Sequence, residues 1–299
     1  MNRVGLIRLI LLSMIWGGSF LLLRVAAPEF GPLALIFVRV SIAGLVLSPI
    51  LLARENWDAF GRVWKKLCVV GILNSSLPFS LLAFSTLRLE AGFTSLINAT
   101  TPIFAAMVGA IWFGSRLRRV NIVGLCVAMA GVAVLSSDRM EFREGGAGWA
   151  ILAALAASLS YGVSANLSKR WLAGLNVRMV AAGNMVVAGL SMAPLGLLYW
   201  PPVSPSPSTW ACALALAVVC TAGAYLLFFR LLEDIGALGA TTVTFLIPVF
   251  AVVWGVWLLD ERLDTRLFAG MAVTLFGTAL TIGLIGGNKE TRPVGVGDE

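Results

Sequence analysis

The sequence predicts an all-α integral membrane protein in which ten transmembrane helices form two inverted five-helix repeats. The first observation behind this is composition: of 299 residues, 59% are apolar, only 12% are charged and none is histidine. The mean hydropathy is +0.92. Such values are typical of chains solvated by lipid. A helix needs about 20 residues to cross the bilayer core, and ten apolar windows of that length fit into the chain.

The second observation is an internal duplication around the polar stretch 136–148. At an offset of 145 or 146 residues, matching residues recur in the same order in every segment. Ser13, Gly17 and Ser19 match Ser158, Gly162 and Ser164; Pro102, Phe104, Ala105, Gly109, Arg116 and Leu117 match Pro248, Phe250, Ala251, Gly255, Arg262 and Leu263; Gly124 and Gly131 match Gly270 and Gly277. Because five is odd, the second unit starts on the opposite side of the membrane. Inverted repeats of this kind are typical of secondary transporters.

The duplication divides the chain into four segments. These are a first repeat (1–135), an external connecting loop (136–148), a second repeat (149–287) and a disordered cytoplasmic tail (288–299). The predicted spans of the first repeat are Val4–Val25, Pro32–Ala53, Leu67–Leu87, Ala91–Phe113 and Val120–Leu135. Those of the second repeat are Trp149–Ser168, Val177–Tyr199, Thr209–Phe229, Ala237–Leu259 and Leu267–Ile285. Arg54–Lys66 mixes charges with tryptophan and phenylalanine, which predicts a helix lying in the cytoplasmic interface.

The basic residues predict the orientation. With ten spans and the N-terminus inside, fifteen Lys and Arg residues lie on the inner side and six on the outer side. Basic loops stay in the cytoplasm, so both termini are expected there. The four cysteines fall in apolar windows without metal-ligand spacing and are expected to be buried.

Several of these features resemble a known family. They are the stretch 16–20 (Trp-Gly-Gly-Ser-Phe), Arg39, the mid-span prolines Pro102 and Pro248, and the Gly-x6-Gly of spans five and ten. The chain resembles the EamA-type carriers of the drug/metabolite transporter superfamily over residues 5–285, and is most similar to the amino-acid exporters of the YddG kind. The resemblance implies a bacterial inner-membrane exporter of small metabolites that is not an enzyme and uses no cofactor.

The two mid-span prolines point to the first candidate site residues. A proline inside a helix cannot donate to the carbonyl four residues earlier, which frees the carbonyls of Asn98 and Thr244. Thr101 adds a hydroxyl beside the first kink. Two interpretations stay open: neighbouring side chains bond the free carbonyls, or the kinked helices border a central substrate cavity.

Paired aromatic residues are the second group. Trp16 and Tyr161 occupy equivalent positions in the repeats and are followed by Ser19 and Ser164; Phe79 and Tyr225 form another equivalent pair. Each ring alone fits core packing. Together they predict a cavity suited to amphipathic or aromatic solutes.

Arg39 is the charged residue deepest inside a span, about 10 Å below the external surface at 1.5 Å per residue. A charge at that depth needs compensation. It either holds helix-end carbonyls or anchors a substrate carboxylate. The complete predicted substrate site is Trp16, Ser19, Arg39, Phe79, Asn98, Thr101, Tyr161, Ser164, Tyr225 and Thr244.

The absence of mid-span carboxylates and of histidine argues against proton relays and membrane-embedded hydrolysis. No P-loop or metal motif supports ATP-driven pumping or a metal site. The predicted function is therefore export of neutral or aromatic amino acids by alternating access, without ion coupling. Expected partners are the small-molecule substrate and the bilayer, with no nucleic acid, in a monomer or weak dimer. The alternatives are a broad, proton-coupled drug/metabolite exporter, with Glu90 as the first residue to test, and, more remotely, a membrane-embedded enzyme.

Overall fold

The computed structural model describes residues 3–137, 139–143, 145–261 and 265–285, and these residues form helices and no strands. The first half contains α1 (Arg3–Phe30), α2 (Pro32–Leu47), α3 (Arg54–Gly71), α4 (Leu77–Ser85), α5 (Ala91–Asn98), α6 (Thr101–Phe113) and α7 (Arg119–Ser136). The second half contains α8 (Gly148–Trp171), α9 (Val177–Leu198), α10 (Pro207–Ala217), α11 (Ala224–Thr241), α12 (Val243–Leu259) and α13 (Thr265–Thr281). Two parts of the sequence prediction lie outside the described residues. They are the tail 288–299, and Arg262 and Leu263, which match Arg116 and Leu117 of the first repeat.

The predicted fold class is confirmed. Among the described residues, nine helical segments are long and apolar enough to cross a membrane, and α13 is a shorter apolar helix. Several boundaries differ from the sequence prediction. Helix α1 runs through Pro28 to Phe30, beyond the predicted end at Val25. Arg54–Lys66 is not a separate interfacial helix but the first turns of α3, because no helix-breaking residue separates it from the apolar part.

The packing follows the repeat. Helix α1 packs on α12, and its repeat equivalent α8 packs on α6. Both contacts centre on a glycine: a Cβ at Gly17 would lie 2.8 Å from Phe250 Cβ, and one at Gly162 would lie 2.7 Å from the Ala105 nitrogen. Helices α2 and α9 pair with each other, as do α7 and α13. The pseudo-twofold relation between the repeats therefore maps each of these helix contacts onto an equivalent one.

Small residues bring α7 and α13 together. A Cβ at Gly277 would lie only 2.3 Å from the Ala128 nitrogen, and one at Gly124 would lie 2.6 Å from the Gly277 carbonyl oxygen. A Cβ at Gly131 would meet Thr274. Without a hydrophobic driving force between helices in lipid, close backbone approach of this kind supplies the packing energy.

Each repeat contains one π-helical segment at an equivalent place, Ile72–Ser76 between α3 and α4 and Val218–Gly223 between α10 and α11. Such segments insert an extra residue per turn and turn side chains away from regular helical spacing. Cys220 lies in the second one and is buried, whereas Cys126 is exposed, contrary to prediction. An apolar window does not distinguish a lipid-facing cysteine from one that faces protein.

Candidate functional site

A cavity of about 410 Å³ lies between the two repeats. It is lined by nine of the ten predicted site residues: Trp16, Ser19, Arg39, Phe79, Asn98, Thr101, Tyr161, Tyr225 and Thr244. The tenth, Ser164, is not among the lining residues; it is fully buried and donates to the carbonyl of Val70 over 3.3 Å. Repeat-related positions thus converge on one central space.

Arg39 is 4% exposed and is held at one end only. Its Nε donates to Thr221 Oγ1 over 2.9 Å, and its guanidinium carbon lies 4.0 Å from the centre of the Phe79 ring. The hydroxyl of Thr221 in turn donates to the carbonyl of Leu216. Arg39 therefore does not hold helix-end carbonyls. Its terminal nitrogens donate no hydrogen bond to a described residue, which leaves them available in the cavity.

Aromatic rings form the cavity wall. Phe79 and Tyr161 meet edge to face, with ring centres 6.5 Å apart, and Trp16 lies 5.5 Å from Phe228. The hydroxyl of Tyr225 accepts a hydrogen bond from Asn74 Nδ2 over 3.4 Å. The rings thus surround Arg39 with apolar surface that carries few polar atoms.

Two helix breaks border the cavity. At the first, Thr101 Oγ1 donates to the Asn98 carbonyl over 2.8 Å, so the carbonyl that Pro102 frees is bonded and the break still faces the cavity. The bond from Thr101 agrees with the first interpretation of this kink, and the cavity beside it leaves the second as a prediction. The second break is not at Pro248, which lies inside α12. It lies earlier, at Thr242 between α11 and α12, where Thr241 and Val243 line the cavity.

One side of the cavity is closed by a group of contacts that we call the latch. Arg24 Nε lies 3.1 Å from Glu261 Oε1, and Arg24 Nη1 donates to the carbonyls of Thr86 and Leu89 over 3.2 and 2.6 Å. Glu261 Oε1 also accepts from the Ala91 amide over 2.9 Å. The latch joins α1, the start of α5 and the end of α12. Beside it, Glu90 pairs with Arg139 at 2.6 Å.

The repeat-related place on the opposite side lacks this arrangement. Glu261 donates its amide to the Gly255 carbonyl, and Ser115 does the same to Gly109, so the two positions are structurally equivalent. Ser115 has no carboxylate to offer. All residues of 91–97 on the latch side are buried, whereas Thr241 in the equivalent segment is exposed. The cavity is therefore closed more tightly on the latch side, and on the other side Thr241 lines it and is exposed.

Several lining residues were not predicted, among them Asn74, Ser95, Cys220, Thr221 and Phe228. Phe228 lies one helical turn beyond Tyr225, and that spacing could have indicated it. Cys220 and Thr221 lie in a π-helical segment, for which the sequence carries no recognisable signal.

Comparison with known proteins identifies the family. A family profile described as "EamA-like transporter family" matches residues 3–137 and 148–283. The chain belongs to this family. An uncharacterized transporter of Archaeoglobus fulgidus is 25% identical, with 94% of this chain and 98% of the relative covered. The uncharacterized inner membrane transporter YedA of Escherichia coli K12 is also 25% identical, with 90% and 87% covered.

Two further similarities agree with this. Protein PecM of Dickeya dadantii is 24% identical, with 94% of this chain and 93% of the relative covered. One solved crystal structure aligns with a TM-score of 0.64 at 21% identity, with 95% and 98% covered, which supports the fold alone. The chain is thus a multi-pass membrane transporter, and the resemblance to EamA-type carriers is confirmed. None of these names states a substrate.

Proposed function

We propose that this EamA-family transporter exports neutral and aromatic amino acids across the cell inner membrane by alternating access, without ion coupling. The observation that carries the proposal is the state of Arg39. It offers unengaged guanidinium nitrogens inside a cavity walled by aromatic rings. Planar guanidinium donors match a carboxylate with two parallel hydrogen bonds.

The remainder of the cavity fits the rest of such a substrate. A volume of about 410 Å³ is in the range of small-molecule pockets. With the carboxylate at Arg39, an apolar or aromatic side chain packs among Trp16, Tyr161 and Tyr225. A phosphorylated sugar would need several cationic side chains in the cavity, and Arg39 is the only one among the described lining residues.

The latch and the predicted orientation support loading of the cavity from the cytoplasm, and a higher cytoplasmic concentration of the substrate would drive its export. With both termini in the cytoplasm, the latch faces the exterior and the opposite side faces the cytoplasm. Two similar halves give two conformations of comparable energy. The cavity then loads from the cytoplasm, and rearrangement of the repeats opens the latch side to release the substrate.

The cavity also supports uncoupled transport. Its described lining contains no aspartate, glutamate or histidine, and a guanidinium does not release its proton in proteins. The proton-coupled alternative has one observation in its favour: burial raises the pKa of the Glu261 carboxyl, opposed by the Ala91 amide and Arg24. Glu261 is therefore a better first test of coupling than Glu90, which forms an ion pair with Arg139.

Counterflow in proteoliposomes tests the proposal. Purified protein is loaded with unlabelled phenylalanine, and uptake of labelled phenylalanine is measured without a pH or sodium gradient. Trp16→Ala should slow counterflow about tenfold, because loss of an aromatic contact costs the substrate about 1.5 kcal/mol. Tyr161→Ala should do the same. The matched control is Trp257→Ala, since Trp257 is 71% exposed on the outer surface of the bundle.

Abundance of each variant is measured alongside. Normal counterflow per molecule in both Trp16→Ala and Tyr161→Ala would show that the rings only pack the core. Absence of counterflow with every neutral and aromatic amino acid would refute the substrate class.

A further inference from the structure

Two polar side-chain atoms in the cavity have no hydrogen-bond partner among the described residues. Ser95 Oγ and Asn98 Oδ1 are buried and bond to no described residue, and both residues line the cavity. Ser95 is 1% exposed. Buried polar groups in proteins are nearly always paired, because an unpaired one loses its bonds to water without replacement. These two atoms therefore require a partner inside the cavity.

The surrounding backbone does not supply one. The Ser95 carbonyl accepts from the Ala99 amide, the Ile97 carbonyl from Thr100 Oγ1, and the Asn98 carbonyl from Thr101 Oγ1. These bonds close the C-terminal end of α5 on itself. Ser95 and Asn98 are three residues apart and so lie on one face of the helix. Only their side chains remain to bind a ligand.

The position in α5 determines what they would bind. The C-terminal end of a helix carries partial negative charge and favours hydrogen-bond donors and cations. Half-helix C-terminal ends play this part in broken transporter helices. A serine hydroxyl and an asparagine amide both accept hydrogen bonds without carrying charge. Both side chains can also donate, but the negative end of α5 favours a donor as the group that they face, and this donor need not be charged.

We propose that Ser95 and Asn98 form a neutral subsite for a hydrogen-bond donor of the substrate, complementary to the carboxylate subsite at Arg39. This inference rests on the proposed function and narrows its substrate class. The substrate is a small monocarboxylate whose second polar group donates hydrogen bonds. An ammonium and a hydroxyl both satisfy it, so 2-hydroxy acids bind along with amino acids. A second carboxylate would face the negative end of α5 and is rejected.

Three probes of nearly equal shape test this. Phenylalanine carries an ammonium, 3-phenyllactate carries a hydroxyl in its place, and 3-phenylpropionate carries neither. Binding to the purified full-length protein is measured by equilibrium dialysis of labelled phenylalanine, with the other two as competitors. The wild type should bind phenylalanine and 3-phenyllactate at least about tenfold more tightly than 3-phenylpropionate, since an unmatched polar site rejects the analogue that lacks its donor.

Variants locate the effect. Asn98→Leu keeps the approximate size and removes the hydrogen bonds, so the difference among the three probes should shrink to about threefold or less. Ser95→Ala should reduce it by a smaller factor. Thr94→Val is the matched control: Thr94 Oγ1 is also buried and unpartnered, but Thr94 is not among the residues that line the cavity. It should leave all three affinities unchanged.

The outcomes separate the two proposals. If all three probes bind the wild type equally, or if Asn98→Leu keeps the full difference, cavity water satisfies these atoms and the donor subsite is refuted while amino-acid transport stands. If none of the probes binds, the proposed substrate class fails and the subsite fails with it.

Discussion

Removal of the latch arginine should open the latch side of the cavity. In Arg24→Gln, Glu261 loses its cationic partner but keeps its buried position, with a side chain only 9% exposed. An uncompensated buried charge is strongly destabilising. The carbonyls of Thr86 and Leu89 lose their donor as well. The closed conformation should therefore become less stable relative to the conformation open on the latch side.

The size of the effect follows from the contacts. Hydrogen bonds to charged groups contribute about 1.5–3 kcal/mol, and Arg24 is 31% exposed, so solvent screens part of its interaction. We expect a net shift of about 2 kcal/mol, which corresponds to a roughly 30-fold rise in the population open on the latch side.

The cavity contains its own reporter for this shift. Cys220 lines it and is buried. In a background with Cys68, Cys126 and Cys212 replaced by serine, a membrane-impermeant thiol reagent added from the latch side should modify Cys220 about 30 times faster in Arg24→Gln. The control is Arg88→Gln. It removes an exposed arginine from the turn that contains Thr86 and Leu89, and Arg88 is not part of the latch.

The partner variant should behave differently. Burial raises the pKa of the Glu261 carboxyl, so the closed latch favours its neutral form more than water does. Glu261→Gln should therefore leave Cys220 protected, and the double variant Arg24→Gln/Glu261→Gln should restore protection. Lowering the pH toward the ordinary value of 4.5 should also restore it in Arg24→Gln, because protonation favours the state with the raised pKa. Equal Cys220 labelling in Arg24→Gln and the wild type would refute the reasoning, as would faster labelling in Glu261→Gln.

Three further predictions follow from packing, orientation and driving force. Gly277→Ala should sharply lower the yield of folded protein, since its Cβ would lie 2.3 Å from the Ala128 nitrogen; Gly61→Ala, with open space around it, should not, and equal yields would contradict the α7–α13 packing. A cysteine at Val203, which is 77% exposed, should label from outside intact cells, and one at Arg118 only after permeabilisation; external labelling at Arg118 would contradict the orientation. With equal amino acid on both sides, a pH step of about two units should produce no accumulation in proteoliposomes, and accumulation abolished by a protonophore would establish proton coupling.

The fold was predictable because two of its determinants are local in sequence. Span length follows from bilayer thickness, and the fixed offset between matching residues gives the inverted pairing, as Gly17 and Gly162 show. Much of the cavity lining was predictable for the same reason, since residues equivalent in the repeats approach the pseudo-twofold axis. What the sequence did not reveal depends on residues distant in the chain. The contact of Arg39 with Thr221 requires a π-helical segment, and Arg24 meets Glu261 only after both repeats are packed.

The serine at position 115, opposite the glutamate at 261, has a kinetic consequence. A carrier without coupling must have the same ratio of maximal rate to half-saturation concentration in both directions, because it cannot move substrate at equilibrium. If one side of the cavity closes more tightly than the other, the maximal rate and the half-saturation concentration of each direction change by the same factor. An empty carrier that prefers the latched state returns to it quickly. Exit through the latch side should therefore have a high maximal rate and a high half-saturation concentration. Entry from that side should be slow and saturate at low concentration.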